Sequence, residues 1–388
     1  MDVHEIISQL PADMLTNLAV ETKVNYYAKK LQGEVVFKLL LHCILSFKDN
    51  SLRTMESAYE SIGFSILNST VNRKICFSSI SERLSTIKVS YFEKLYQNCL
   101  AIYGEKIGEK TTTFIRFDST IVALSTQLLK IGYQLKGADA EQVRQLKFTI
   151  GFSELPTVVN FYQEQKYNSE NTALKETILA HQPAWSNPIR IFDRGITARK
   201  TYDKFTEQQI PFISRIIVNS KHQIHTANRI KQPITTDTLT ITEDSWIFLF
   251  AMGSIRAKYP LRCIRATMIS TEEEIAFITN IKDFSAEEIS ILYKRRWDIE
   301  VFFKFLKQEL NFSHLINRSE NGIKVMLYAT LIASILLLVY KKTNALKGYK
   351  IMKQRFVQEI EKSLVKDFVI MCGGNPDLVD KFLQKPPT

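Results

Sequence analysis

The hydrophobic period of the chain changes near Thr111, and that change limits the folds open to it. Before it, apolar residues recur at helical spacing, as in GEVVFKLLLHCILSF and SLRTMESAYESI. After it come TTTFIRFDSTIVAL, LKFTIGFS and TVVNFYQEQ, runs rich in Thr, Val, Ile and Phe and bounded by polar turns, as strands are. NTALKETILA reads as a helix, PIRIFDRGI as a strand, ARKTYDKFTEQQ as a helix and PFISRIIV as a strand. Several strands followed by alternating strands and helices fit a mixed sheet flanked by helices, in the α/β class. From about 218 to 283, TDTLTIT, SWIFLFA, LRCIRATMI and EIAFITNI read as short strands with no helix between them, a β-rich insertion.

At 388 residues the chain is too long for one typical core, and 45% hydrophobic content argues against disorder. The expected segments are a helical N-terminal domain (1–108), a core in two parts (109–217 and 284–345) around the insertion (218–283), and a helical C-terminal region (346–388). VMLYATLIASILLLVY, Val325 to Tyr340, is uncharged but shorter than the ~20 residues a spanning helix needs, and reads as a buried core helix. MDVHEIISQLPADML has early acids and no apolar stretch, so no signal peptide is expected. Five scattered cysteines without a CxxC pair suit a reducing compartment. A soluble, cytoplasmic protein without a membrane partner is expected.

The formal net charge is +11, which points to a polyanionic partner, nucleic acid first. Residues 1–110 carry 13 basic and 12 acidic side chains, whereas residues 301–388 carry 14 and 7. The densest basic run, KKTNALKGYKIMKQR (Lys341–Arg355), is expected to contact DNA. Within the near-neutral N-terminal region, Lys23, Lys29, Lys30, Arg73, Lys74, Arg83 and Lys88 have the chance to share one face. There FSSISERLSTI predicts a short helix capped by Ser78 or Ser79, and a helix-turn-helix reader and an ordinary bundle both remain open.

Three carboxylates stand out. Asp118 in FIRFDSTIVAL and Asp193 in IRIFDRGITARK follow apolar strands, where α/β sheets place their chemistry. Glu300 lies in YKRRWDIEVFFKFLKQEL, Tyr293 to Leu310, which reads as one amphipathic helix opened by a Ser285 cap with Glu287 and Glu288 in its first turn. At ~100° per residue, Tyr293, Arg296, Glu300 and Lys307 fall on one stripe. Carboxylates suit Mg²⁺ or Mn²⁺, a pair of which can drive phosphoryl displacement, while Arg and Lys neutralise phosphate oxygens. His222 and His225 have metal-ligand spacing for a helix but sit in a strand region without a third ligand.

Tyr293-x2-Arg296-x3-Glu300-x6-Lys307 resembles the YREK signature of bacterial insertion-sequence transposases of the "insertion sequence 4" group. DST at Asp118 and DRG at Asp193 are similar to that family's first two acid motifs, and the insertion falls between the second and third acids. The resemblance implies an RNase H-like core, an N-terminal helical domain (1–108) that binds the DNA ends, a DDE triad of Asp118, Asp193 and Glu300, and two divalent ions (Mg²⁺, with Mn²⁺ as a substitute). It also implies cut-and-paste transposition: cleavage of the element's terminal inverted repeats in double-stranded DNA, through hairpins in some members, then strand transfer into target DNA. Tyr293, Arg296 and Lys307 would contact DNA, Trp246 is the candidate for stacking a flipped base, and synapsis of two ends favours a homodimer. Two other readings stay open: a non-catalytic DNA-binding protein derived from a transposase, and a metal-free two-carboxylate glycosidase, which would leave the cations unused.

Overall fold

A computed structural model describes residues 1–68, 74–108, 113–124, 133–134, 144–183, 186–251, 254–312, 314–317 and 319–383. The chain divides into a helical unit, Met1–Ile107 with Lys304–Thr388, and a sheet unit, Gly108–Phe303. The helical unit therefore takes in residues 304–345, which the sequence suggested for the core.

The helical unit contains α1 (Val3–Ser8), α2 (Ala12–Thr22), α3 (Gly33–Ser46), α4 (Leu52–Tyr59), α5 (Ile62–Leu67), α6 (Phe77–Thr86) and α7 (Val89–Lys106). Its centre is α12 (Glu320–Thr343), against which α7, α3, α6 and α13 (Tyr349–Met371) pack. Although α12 is long and apolar enough to cross a membrane, its residues from Leu327 to Tyr340 are all buried within this unit. The run is apolar all round because neighbours cover it all round.

One local expectation is corrected here. Cys76, not Ser78 or Ser79, occupies the cap position of α6 and makes no side-chain cap bond.

In the sheet unit, β1 (Phe114–Leu124), β3 (Arg144–Phe152) and β4 (Pro156–Tyr162) pair antiparallel in succession, and the two-residue β2 (Tyr133–Gln134) also pairs with β3. After α8 (Glu170–Ala180), β5 (Ile189–Phe192) joins the other edge of β1 in parallel. After α9 (Arg199–Glu207), β6 (Phe212–Ile216) pairs parallel with β5. The central order is therefore β4-β3-β1-β5-β6. The β-rich segment supplies β7 (His222–Thr226), β8 (Ile234–Thr235), β9 (Leu239–Leu249), β10 (Leu261–Met268) and β11 (Glu274–Thr279). β11 pairs antiparallel with β6, so these strands prolong the same sheet. The buried Arg262 on β10 clasps Asp244 on β9 through two 2.7 Å bonds, which satisfies two charges inside the extension.

Ser285 opens α10 (Ala286–Lys294) with a reciprocal capping box to Glu288. The expected single helix from Tyr293 to Leu310 is broken: α10 stops at Lys294, Arg295 and Arg296 form a turn, and α11 (Trp297–Glu309) resumes. Across the turn the amides of Arg295, Arg296, Asp298 and Ile299 bond three residues back, a tightening towards 3-10 geometry. The 100° stripe therefore does not hold through Arg296.

Candidate active site

Strand register brings the two aspartates together. On adjacent parallel strands Phe117 of β1 lies opposite Phe192 of β5, and Asp118 and Asp193 follow them directly. Adjacent strands run about 4.8 Å apart. Alternation sends Ile115, Phe117 and Phe192 into the core shared with α8 and α9, and Ile189 and Ile191 into the core shared with α10. One residue further, both aspartates turn to the α10 side. Tyr293, buried at the end of α10, confirms this: its hydroxyl donates to Asp193 Oδ1 at 3.1 Å.

The Arg295–Arg296 turn brings the third acid to the same place. Arg296 Nη1 lies 2.7 Å from Glu300 Oε1. Its guanidinium faces Asp118, Asp193 and Tyr293 as well. The start of α11 is fastened to the sheet from two sides. Buried Arg116 of β1 reaches Asp298, which Arg295 also holds at 2.8 Å, and the Phe302 ring stacks on Phe152 of β3 at 4.4 Å. Rigid elements on both sides thus fix the position of Glu300.

The electrostatics show how crowded the acids are. Burial, together with the charges of Glu170 and Glu300, pushes the Asp118 carboxyl up to about 6, although the Ser119 amide and Arg296 pull the other way. Burial and the Asp193 charge raise the Tyr293 hydroxyl, so it stays protonated as a donor. Burial opposes the Arg296 charge, but Tyr293, Glu300 and Asp193 around it more than compensate and raise its pKa.

Sequence reasoning missed Glu170. It stands at the first position of α8, where a helix start explains an acid adequately. In the fold its carboxylate binds buried Lys147 at 2.6 Å and accepts from the Ser119 hydroxyl at 3.0 Å, one residue from Asp118. Its side chain also fills the space over Gly195, where an added Cβ would stand 2.9 Å from Glu170 Cγ. One side chain thus braces both aspartate segments. The readable signal was Lys147 in the middle of an apolar strand, since a buried lysine needs a partner.

Two further candidates are Trp246 and Lys307. Trp246 is on β9, 8% exposed and opposite Arg262 in the pairing, and it lines a cavity of about 290 Å³ together with His225, Arg229 and Lys282. Lys307 is exposed on α11, seven residues beyond Glu300. His222 and His225 lie on β7.

A family profile described as "Transposase DDE domain" matches residues 109–336, more than half of the chain. The chain belongs to the DDE transposase family. It is 29% identical over 160 residues to "Putative transposase y4zB" of Sinorhizobium fredii, covering 41% of this chain and 44% of that protein. It is 25% identical over 270 residues to "Probable transposase for insertion sequence element IS5377" of Geobacillus stearothermophilus, covering 67% and 66%. It is 22% identical over 301 residues to "Putative transposase for insertion sequence element IS4SA" of Synechocystis sp., covering 71% and 78%. The chain spans less than two thirds of the first two relatives.

Among the described residues, no three Asp, Glu, His or Cys side chains converge into a ready-made metal cage. In this DDE transposase domain Tyr293 and Arg296 hold Asp193 and Glu300 instead. The donor chemistry nevertheless fits a hard divalent cation: Asp118, Asp193 and Glu300 offer carboxylate oxygens, and the like charges around Asp118 are what a cation would relieve.

Proposed function

We propose that the chain is an insertion-sequence transposase that cleaves the ends of its element and joins them to target DNA, with Asp118, Asp193 and Glu300 as the catalytic acids. The observation that carries this reading is the parallel register of Phe117 with Phe192, which sends both aspartates to the face where Tyr293, Arg296 and Glu300 lie. The three acids would hold Mg²⁺ or Mn²⁺, which supplies Lewis-acid stabilisation of the attacking and leaving oxygens of a phosphodiester. Arg296 and Lys307 would neutralise phosphate oxygens and Tyr293 would keep Asp193 oriented, in line with a YREK signature of the insertion sequence 4 group. The strand order β4-β3-β1-β5-β6, with β3 antiparallel, supports an RNase H-like core carrying a β insertion. Action in the bacterial cytoplasm and as a homodimer on paired ends belongs to the same proposal.

The test is incubation of the full chain with duplex DNA of the element's own end and Mg²⁺, resolving nicked, hairpin and joined products. Asp118→Ala, Asp193→Ala and Glu300→Ala should each abolish cleavage while binding to the same duplex survives. Cleavage at the wild-type rate by any one of them removes that acid from the triad. A wild-type chain that binds the end but never cuts it supports the non-catalytic DNA-binding reading instead.

A further inference from the structure

A cationic surface outside the acid cluster lies in the helical unit, between the α2–α3 connection and α6. There a concavity of about 760 Å³ is lined by Lys23, Lys29, Lys30, Lys74 and Lys88, with Glu82 as its one acid. All five lysines are exposed and none takes part in an ion pair among the described residues; Lys30 donates to the Lys74 carbonyl at 2.8 Å. Tyr26 and Tyr27 stand on its rim, 69% and 90% exposed, with ring centroids 4.2 Å apart. Water gains nothing from two adjacent, exposed phenol rings tilted 60° to each other, so a partner surface is the reason to look for.

The loop is built to hold them there. Val24 and Leu31 bury its two ends, and Arg83 of α6 donates to their carbonyls at 2.5 and 2.8 Å. The Asn25 side chain accepts from the Gly33 amide at 2.7 Å. Between these anchors Tyr27 has φ 63°, a left-handed conformation that costs a bulky residue about 1–2 kcal/mol. A strained, exposed aromatic beside several exposed cations is a feature that folding alone does not favour.

We infer that this groove is a binding surface for the sugar–phosphate backbone of duplex DNA, its lysines on phosphates and the Tyr26–Tyr27 pair against the sugar edge. Lysine ammonium groups and tyrosine hydroxyls are common donors to phosphate oxygens. The inference displaces the Lys341–Arg355 run as the leading DNA contact. There Lys342 donates to the Ile107 carbonyl, Lys353 donates to the Glu309 carbonyl and Lys341 lies over the Tyr349 ring. Those three cations fasten helices of their own unit.

The surface deepens the transposase reading by naming where its DNA is held, but its test does not need cleavage. The full chain is titrated against a fluorescent duplex of arbitrary sequence at several salt concentrations. Each phosphate contact contributes about 0.9 to the slope of log affinity on log salt. Lys29→Gln/Lys74→Gln/Lys88→Gln should therefore flatten that slope by about 2–3, whereas Lys347→Gln/Lys350→Gln/Lys381→Gln, which removes equal charge from the C-terminal region, should leave it nearly unchanged. Tyr26→Ala and Tyr27→Gly should each weaken binding roughly 5–10-fold with no change in slope. Glycine relieves the positive φ, so Tyr27→Gly should melt no lower than wild type, and lost binding cannot then be lost folding. Equal slopes for the two triple variants, undiminished binding by the tyrosine variants, or tighter capture of single-stranded RNA than of duplex each overturn the inference. Normal groove behaviour without end cleavage would refute the catalytic reading and leave this one standing.

Discussion

Removing the Glu170 carboxylate should cost the sheet unit far more than removing its lysine partner. Lys147 is 2% exposed, and its ammonium binds Glu170 at 2.6 Å and the Asn168 carbonyl at 2.9 Å. Glu170→Ala leaves that buried cation with one neutral acceptor, and stranding a buried charge costs about 3–5 kcal/mol. Water can enter where the 31% exposed Glu170 side chain stood, which places the loss nearer about 3 kcal/mol. Lys147→Met removes the charge and nearly conserves volume, while Glu170 keeps the Ser119 hydroxyl and its share of solvent, so about 1 kcal/mol is expected. The double variant should then be more stable than Glu170→Ala alone by about 2 kcal/mol, a coupling that only contacting residues show. For a unit of this size each kcal/mol moves the melting point by about 2–4 °C, so Glu170→Ala should melt roughly 6–12 °C lower. Calorimetry measures the shift, and hydrogen exchange of the β3 amides assigns it to the sheet unit. Lys147→Met falling as far as Glu170→Ala, or strictly additive effects in the double variant, would refute the reasoning.

Asp118 gives a pH test with a definite sign. Its folded pKa of about 6 exceeds the ordinary 3.8, so its contribution to stability is full below about pH 4 and is lost as pH rises through 6. Asp118→Asn should therefore exceed wild type by roughly 3 kcal/mol at pH 8 and match it near pH 3, which melting curves at both values check. Tyr293→Phe removes the bond to Asp193 and keeps the ring against Phe277, so it should cost about 1–2 kcal/mol and slow end cleavage with DNA affinity unchanged, as paired melting and binding assays would read out. Asp244→Ala strands the buried Arg262 and should cost about 3–5 kcal/mol, visible as a lower urea midpoint. Arg296→Gln takes away the guanidinium that faces all three acids. Added Mg²⁺ should then raise its melting point more than that of wild type, and an equal rise would remove Arg296 from its role as their counter-charge.

The sequence made the strands on which Asp118 and Asp193 sit legible because a half-buried strand writes its period directly into its residues. It could not show that Phe117 faces Phe192, since strand pairing leaves no local mark. The capping box at Ser285 and Glu288 was readable because both partners lie within one turn of helix. The break at Arg295–Arg296 was not, because no glycine or proline marks it. It is held by distant contacts, the Asp298–Arg116 pair and the Phe302–Phe152 stack. Glu170 stayed hidden for a related reason: its local role as a helix-start acid is sufficient, and its partners Ser119 and Lys147 lie 51 and 23 positions earlier in the chain.

Charge sums mislead here in a way the fold explains. A balance of 13 cations against 12 acids makes residues 1–110 look indifferent to DNA, yet the sum says nothing about sidedness. Glu34 is paired with Lys38, and Glu21 with Lys94, which spends those acids on cations outside the groove. The five groove lysines stay exposed beside a single acid, although Lys30 donates to the Lys74 carbonyl. The C-terminal stretch differs: its surplus of cations is real, but Lys342 and Lys353 donate to backbone carbonyls and Lys362 and Lys366 pair with Asp380. A polyanion responds to the local density of unpaired charge within about a Debye length of ~8 Å, not to a regional total. The near-neutral segment therefore presents the stronger phosphate surface, and the conspicuously basic one devotes much of its charge to holding helices together.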